Sequence, residues 1–233
     1  MPTARSGHPT LGPLQVTGRS RSHVVAREGV VLQPAAARDF MRMRRAAARA
    51  GIDLCAVSSF RDFDTQVRIW NQKWRGERPL LDRRGKPLKA ARLRPAARVK
   101  AILLWSAPPG ASRHHWGSDL DVYDRAAMAP GYRLQLVPEE YAGEGPFVAL
   151  TAWLDEHMGR FGFYRPYATD RGGVQPEPWH LSHIASAKAV SRRLRPSTLR
   201  RALLDSDVEG RAALLAGLDA IYARYVRSVD PPP

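Results

Sequence analysis

The spacing of apolar positions changes along the chain, and each change marks an element. From Pro34 to Ala50, Phe40, Met43 and Ala47 recur at intervals of three and four, the period of a helix with one buried face. Pro34 suits a first turn and Gly51 a stop. Ile52 to Ser59 is a short, mostly apolar run and predicts a buried strand. Asp62 can cap a helix reaching about Trp74, with Phe63, Val67, Ile69 and Trp70 on its apolar face. Gly76 to Pro95 is polar, basic and marked by Pro and Gly, a connection long enough to serve as a functional loop. Arg98 to Ser106 predicts a short helix, broken by Pro108-Pro109-Gly110. Leu120 to Tyr123, Phe161 to Tyr164 and Trp179 to Ile184 fit short strands, and Pro146 to Gly159 fits a helix with Val148, Leu150, Trp153, Leu154 and Met158 inward.

From Ala185 onward the pattern is helical, with an amphipathic segment from Val208 to Val226. Residues 1–30, rich in Ser, Gly, Arg and Pro, show no sustained period and read as a flexible or loosely docked arm. Helices interspersed with a few short strands predict an α+β fold, a small antiparallel sheet with packed helices. The expected organisation is an arm over 1–30, a central domain over 31–190 and a C-terminal helical extension over 191–233 packed on that domain.

Composition narrows the chemistry. The single cysteine, Cys55, excludes an intrachain disulfide and any zinc site needing two or more cysteines; within Leu54-Cys55-Ala56-Val57 it reads as a small buried hydrophobe. The net charge is +15, and of the 37 basic residues 32 are arginine and 5 lysine. A positive field of this kind attracts anionic polymers, nucleic acid and cell wall alike. No nucleic-acid module signature accompanies it, so no specific nucleic-acid partner is expected. No run approaches the ~18–20 apolar residues of a membrane-spanning helix. No signal peptide is readable in residues 1–27.

The informative stretch is Ser112-Arg113-His114-His115-Trp116-Gly117-Ser118-Asp119-Leu120-Asp121, followed far downstream by Glu177-Pro178-Trp179-His180. Two imidazoles and one carboxylate, His114, His180 and Asp121, give zinc three ligands and leave a position open for water, as catalytic sites require. Glu177, on a bend just ahead of a strand, can face that open position as a general base.

These blocks resemble the SxHxxGxAxD and ExWH motifs of the zinc D-Ala-D-Ala carboxypeptidases and dipeptidases, the VanY/VanX-type peptidases, whose fold is shared with the Hedgehog signalling domain. Ser112, His114, Gly117 and Asp121 carry the first match, and Glu177, Trp179 and His180 the second. Ser58-Ser59-Phe60-Arg61-Asp62-Phe63-Asp64-Thr65-Gln66 is similar to the family's SGYRS-x-x-x-Q segment. The resemblance covers roughly residues 30 to 185. It implies a Hedgehog/DD-peptidase-like fold and a zinc-dependent peptidase of peptidoglycan stem peptides. It further implies Zn2+ on His114, Asp121 and His180, and proton transfer by Glu177. Arg61 would stabilise the oxyanion, and Gln66 and Ser112 would hold the peptide.

The chain departs from these motifs at Asp119, where the family has Ala, and at Ser59, Phe60 and Asp62. On an extended strand Asp119 points to the same side as Asp121, leaving three readings: it crowds the metal, holds a ligand from behind, or replaces Asp121. His115 reads equally as a group near the substrate or ligands and as a loop polar. His183 reads as structural, and Trp116 and Trp179 as packed aromatics walling the pocket. The alternative function is a non-catalytic zinc-containing module that binds cell wall. The substrate class implies a periplasmic or cell-envelope location, with the cytoplasm left open, and a monomer is expected.

Overall fold

The computed structural model describes residues 11–233. Its centre is a four-stranded antiparallel sheet in the order β3-β6-β8-β7, with helices packed against it, the expected α+β architecture. In chain order the elements are α1 (Pro13–Val16), β1 (Val25–Arg27), β2 (Val30–Leu32), α2 (Pro34–Arg49), β3 (Leu54–Ser58), α3 (Phe63–Arg75), β4 (Leu80–Leu81), β5 (Pro87–Leu88) and α4 (Pro95–Leu103). Then follow β6 (Asp119–Asp124), α5 (Val148–His157), β7 (Phe163–Tyr164), β8 (His180–His183), α6 (Ile184–Ser191), α7 (Pro196–Leu204), α8 (Arg211–Ala216) and α9 (Leu218–Ile221). Residues Tyr222–Arg227 continue as a wider, π-type turn of helix. No helix among the described residues is long and apolar enough to cross a membrane.

Sequence pattern and structure agree most closely where the helical period is long. α2 begins on Pro34 and buries Phe40, Met43 and Ala47. α3 begins behind Asp62, whose side chain accepts from the Thr65 N–H at 2.7 Å, the capping arrangement that relieves an orphan donor. Elsewhere the structure adds detail that the pattern does not carry. Of the arm expected to be flexible or loosely docked, residues 1–10 lie outside the described residues, and residues 11–30 are docked through buried Leu11, Val16 and Val30. Its hairpin β1–β2 turns on Glu28 (φ 44°) and Gly29 (φ 85°). Two central residues at positive φ are what a two-residue hairpin loop demands, and Glu-Gly announces it less clearly than Asn-Gly. Residues 76–95 are not plain loop, because β4 and β5 pair there and Leu80 is buried; Pro95 then opens α4 instead of closing the loop. The amphipathic segment 208–226 is helical, divided at Gly210 and Gly217.

Two apolar clusters flank the sheet and its loops. One joins Phe40, Met43, Leu54, Leu120, Leu181, Leu150 and Phe163, from α2, α5 and one face of the sheet. The other joins Trp70 of α3, Ile102 of α4, and Leu199, Leu203 and Leu214 of the C-terminal helices. Alternation along the strands decides what is left for the opposite sheet face: Leu120 and Leu181 go to the first cluster, so their neighbours Asp119, Asp121 and His180 must point away from it.

Candidate active site

Sheet register assembles the polar cluster. β6 and β8 pair Asp121 directly opposite His180, and Asp119 opposite Ser182. Residues facing each other on adjacent strands bring their Cβ atoms to about 5 Å. The third member, His114, lies in the short 3-10 turn Arg113–Trp116 that leads into β6. That turn closes on Gly117 at φ 63°, where a Cβ would stand 2.3 Å from Val24 Cγ1. Only glycine meets both demands. His114, Asp121 and His180 are buried, and one ligand atom of each lies within 4.8 Å of the others.

Hydrogen bonds from behind fix which atoms face inward. His114 Nδ1 is 2.8 Å from the Ser59 carbonyl oxygen, so Nδ1–H donates there and Nε2 keeps its lone pair, 3.3 Å from Asp121 Oδ2. His180 Nε2 is 3.0 Å from Asp119 Oδ1, so Nε2–H donates there and Nδ1 faces Asp121 Oδ1 at 3.2 Å and Glu177 Oε2 at 3.3 Å. Asp121 Oδ1 is buried without a hydrogen-bond partner. Lone pairs aimed at one another in a buried space repel unless a proton or a cation lies among them. The same crowding acts on protonation. Burial opposes a charged imidazole, yet Asp119, Asp121 and Glu177 together raise His180 well above the ordinary imidazole value. Burial would raise Asp121 too, but His114 and His180 outweigh it and hold the carboxyl far below the usual range. Two imidazoles and a carboxylate are zinc's preferred nitrogen and oxygen donors, and this cluster fits that ion.

Asp119 is not turned into the cluster. Its Oδ1 accepts from Arg113 Nε at 2.7 Å as well as from His180, and its Oδ2 accepts from the Ser118 hydroxyl. Arg113 is itself held by the Ser182 hydroxyl at 2.6 Å and stacked over Trp116. Asp119 therefore grips His180 from behind, the second of the three readings the sequence leaves open. Burial alone would raise its carboxyl, but Arg113, His180 and Ser118 prevail and keep it well below the ordinary range.

Arg61 and Glu177 reach the same cleft, a space of about 670 Å³ that His114, Asp121, His180 and Ser112 also line. Arg61 Nη2 lies 3.9 Å from Asp121 Oδ2 and donates to Ser58 Oγ at 2.9 Å. Gln66, expected to hold peptide, does something else. It is fully buried, its Oε1 accepts from Arg61 Nη1 at 2.9 Å, and its amide nitrogen donates to the Ala107 carbonyl at 2.8 Å. The side chain props Arg61 and does not line the cleft. His115 is likewise a brace. Its Nδ1–H donates to the Arg61 carbonyl at 2.6 Å and its Nε2 accepts from the Gly110 N–H at 3.1 Å. Burial, opposed by the bond to Arg61, drives its pKa down to about 3, so the ring is neutral. His183 caps α6 and approaches Asp39 at 3.3 Å on the far side of the sheet, as expected of a structural residue. Trp179 lines the cleft, but Trp116 lies under Arg113, away from it.

The sequence reading missed several cleft residues. Tyr167 packs edge-on to His180 at 5.0 Å, and burial raises its phenol to about 12. Leu136 stands at φ 56° in the wall, a strained conformation for a branched side chain. Buried Glu140 holds that loop, accepting from Tyr132 Oη at 2.7 Å, Gln135 N at 2.9 Å and Val137 N at 3.2 Å. Lys73 and Arg78 form part of the opposite wall. None of these lies in a recognisable motif.

Comparison with known proteins supplies a family. Residues 29–186 match the family model of the VanY D-alanyl-D-alanine carboxypeptidases. The chain belongs to the VanY family. An uncharacterized protein of Haemophilus influenzae is 34% identical over 118 residues, 50% of this chain and 90% of that protein. A D-alanyl-D-alanine carboxypeptidase of Enterococcus faecalis is 28% identical over 148 residues, 62% of this chain and 45% of that protein. A solved structure of a mutant of the vancomycin-resistance D,D-pentapeptidase VanY in complex with Zn(II) shares 24% identity at a TM-score of 0.49, covering 77% of this chain and 88% of that one.

Proposed function

We propose that the protein is a zinc-dependent peptidase that hydrolyses peptide bonds in peptidoglycan stem peptides, as a D-alanyl-D-alanine carboxypeptidase does. The observation that carries this reading is the convergence of His114 Nε2, His180 Nδ1 and Asp121 on one another, with Glu177 Oε2 beside His180. Family membership supplies the substrate class. His114, His180 and Asp121 would hold the zinc, which when bound lowers the pKa of water and polarises a carbonyl.

The chain's own residues have separate tasks. Glu177 Oε2, at the cleft surface, takes a proton from the attacking water and delivers it to the leaving amine. The Arg61 guanidinium, propped by Gln66 and Ser58, faces the oxyanion of the tetrahedral intermediate. Asp119 keeps the proton of His180 on Nε2, so the ring presents Nδ1 in one orientation. Ser112 at the cleft wall contacts the peptide. The substrate class puts the site of action in the cell envelope or periplasm, which fractionation of producing cells tests.

Hydrolysis of defined muropeptides, followed by mass spectrometry together with zinc content, tests the reading. The parent protein carries about one zinc per chain, in keeping with a single three-ligand site, and releases terminal residues. Glu177→Ala keeps the metal and loses hydrolysis. A Glu177→Ala variant that cuts as fast as the parent would refute the mechanism. A parent that binds zinc and cell wall but releases nothing would favour the non-catalytic module.

A further inference from the structure

α3 divides its faces between two environments. Phe63 and Trp70 are buried, while Ile69 and Lys73, one turn apart, line the cleft that holds the ligand cluster. The Lys73 ammonium is partly buried there, and its one hydrogen bond is to the Trp105 carbonyl oxygen at 3.3 Å. Among the described residues it makes no ion pair, although an ammonium carries three donors. Its charged neighbours in the wall are Arg61 and Arg78, of its own sign, with Glu177 across the cleft. Arg78 is tethered by its Nε to Gln72 Oε1 at 2.7 Å and, among the described residues, also makes no ion pair. Removing a cation from water beside other cations is costly unless something compensates. Among the described residues no carboxylate comes within ion-pair distance of Lys73, Glu177 offsets its burial only from across the cleft, and adding a divalent cation to the ligand cluster makes the deficit larger.

We infer that Lys73, supported by Arg78, is the specificity-determining counter-ion for a carboxylate of the peptide substrate. The inference rests on the peptidase reading for the identity of the ligand as a peptide, but the anchor itself is a binding property. Burial, aided by Arg78 and Arg61 and opposed by Glu177, lowers the ammonium to about 8, in keeping with a charge that awaits its partner. A peptide offers two kinds of carboxylate: the one at its C-terminus and those on acidic side chains.

The test is calorimetric binding and steady-state hydrolysis with an acylated L-lysyl-D-alanyl-D-alanine peptide as free acid and as C-terminal amide, and a glutamate-containing stem peptide with its side-group carboxyl free or amidated. The zinc-loaded parent, Lys73→Met and Lys73→Arg are compared. Lys73→Met is expected to raise Kd and KM about tenfold, the scale of 1.4 kcal/mol, with kcat nearly unchanged, and Lys73→Arg to restore most of the loss. If the loss disappears on amidating the C-terminus, the anchored group is the terminal carboxylate; if it disappears only on amidating the side group, it is that one. Equal losses for every peptide, or none for any, overturn the inference. Carboxylate-dependent binding that Lys73→Met abolishes, without hydrolysis by the parent, would sustain the anchor while refuting the peptidase reading.

Discussion

On the sheet side of the cleft strand register and a hydrogen-bonded brace behind it fix the reactive side chains, whereas on the helix side charged groups project into the space with few partners of their own. Asp121 and His180 are opposed across β6 and β8, and Asp119, itself held by Arg113 and Ser118, locks His180 from behind. Among the described residues the side chains of Lys73 and Arg78 have a carbonyl and an amide oxygen between them. The first arrangement defines one geometry before any ligand arrives, which suits an ion with strict donor preferences. The second leaves charge unmatched, which suits a substrate that brings the missing anion. One cleft thus separates the holding of reactive groups from the selection of what they act on.

The contrast can be broken experimentally, and the largest effect belongs to the residue that bridges both sides. Arg61→Ala should lower kcat by about a hundred- to a thousandfold while zinc content stays at the parent level. A loss of zinc in step with activity would instead make Arg61 part of the ion's support. Asp119→Asn comes next. It weakens the grip on His180, and zinc affinity, measured by competition with a chelator, should fall about ten- to a hundredfold.

The helix side responds to pH. The ammonium of Lys73 is charged below its pKa of about 8 and neutral above it. For carboxylate-bearing peptides, kcat/KM should therefore decline above about pH 8. In Lys73→Arg that decline should move upward, because a guanidinium stays charged there. Coincident profiles for the two proteins would separate Lys73 from the decline. The smallest effect is expected at Glu140. Glu140→Gln turns one acceptor of the Leu136 loop into a donor, and denaturant unfolding should show a loss of about 1–3 kcal/mol, with KM altered more than kcat.

The same contrast explains what could be read from the sequence. His114, Asp121, His180 and Glu177 sit in short blocks, and the period-two alternation of β6 and β8 places them on one face. Long helical periods gave α2 and α3 nearly to their ends. The role of Gln66 is not legible, because the pattern shows it near Arg61 but not the Ala107 carbonyl that draws its amide into the interior. Lys73, Tyr167 and Leu136 carry no local signal, since they meet only through the packing of α3, the 132–137 loop and the segment before β8. The docking of residues 11–30 was hidden for the same reason. Val16 is an isolated apolar residue in sequence and becomes core only once the helices around it are assembled.

The central claim is that two imidazoles of opposite tautomer and one aspartate hold a single ion. Anomalous diffraction at the zinc edge, on crystals of the zinc-loaded protein, tests it most directly. The account predicts one strong peak per chain, bonded to His114 Nε2, His180 Nδ1 and an Asp121 oxygen at about 2.0–2.2 Å, with Asp119 still on His180 Nε2. A peak elsewhere, or one ligated by Asp119 in place of Asp121, would contradict it.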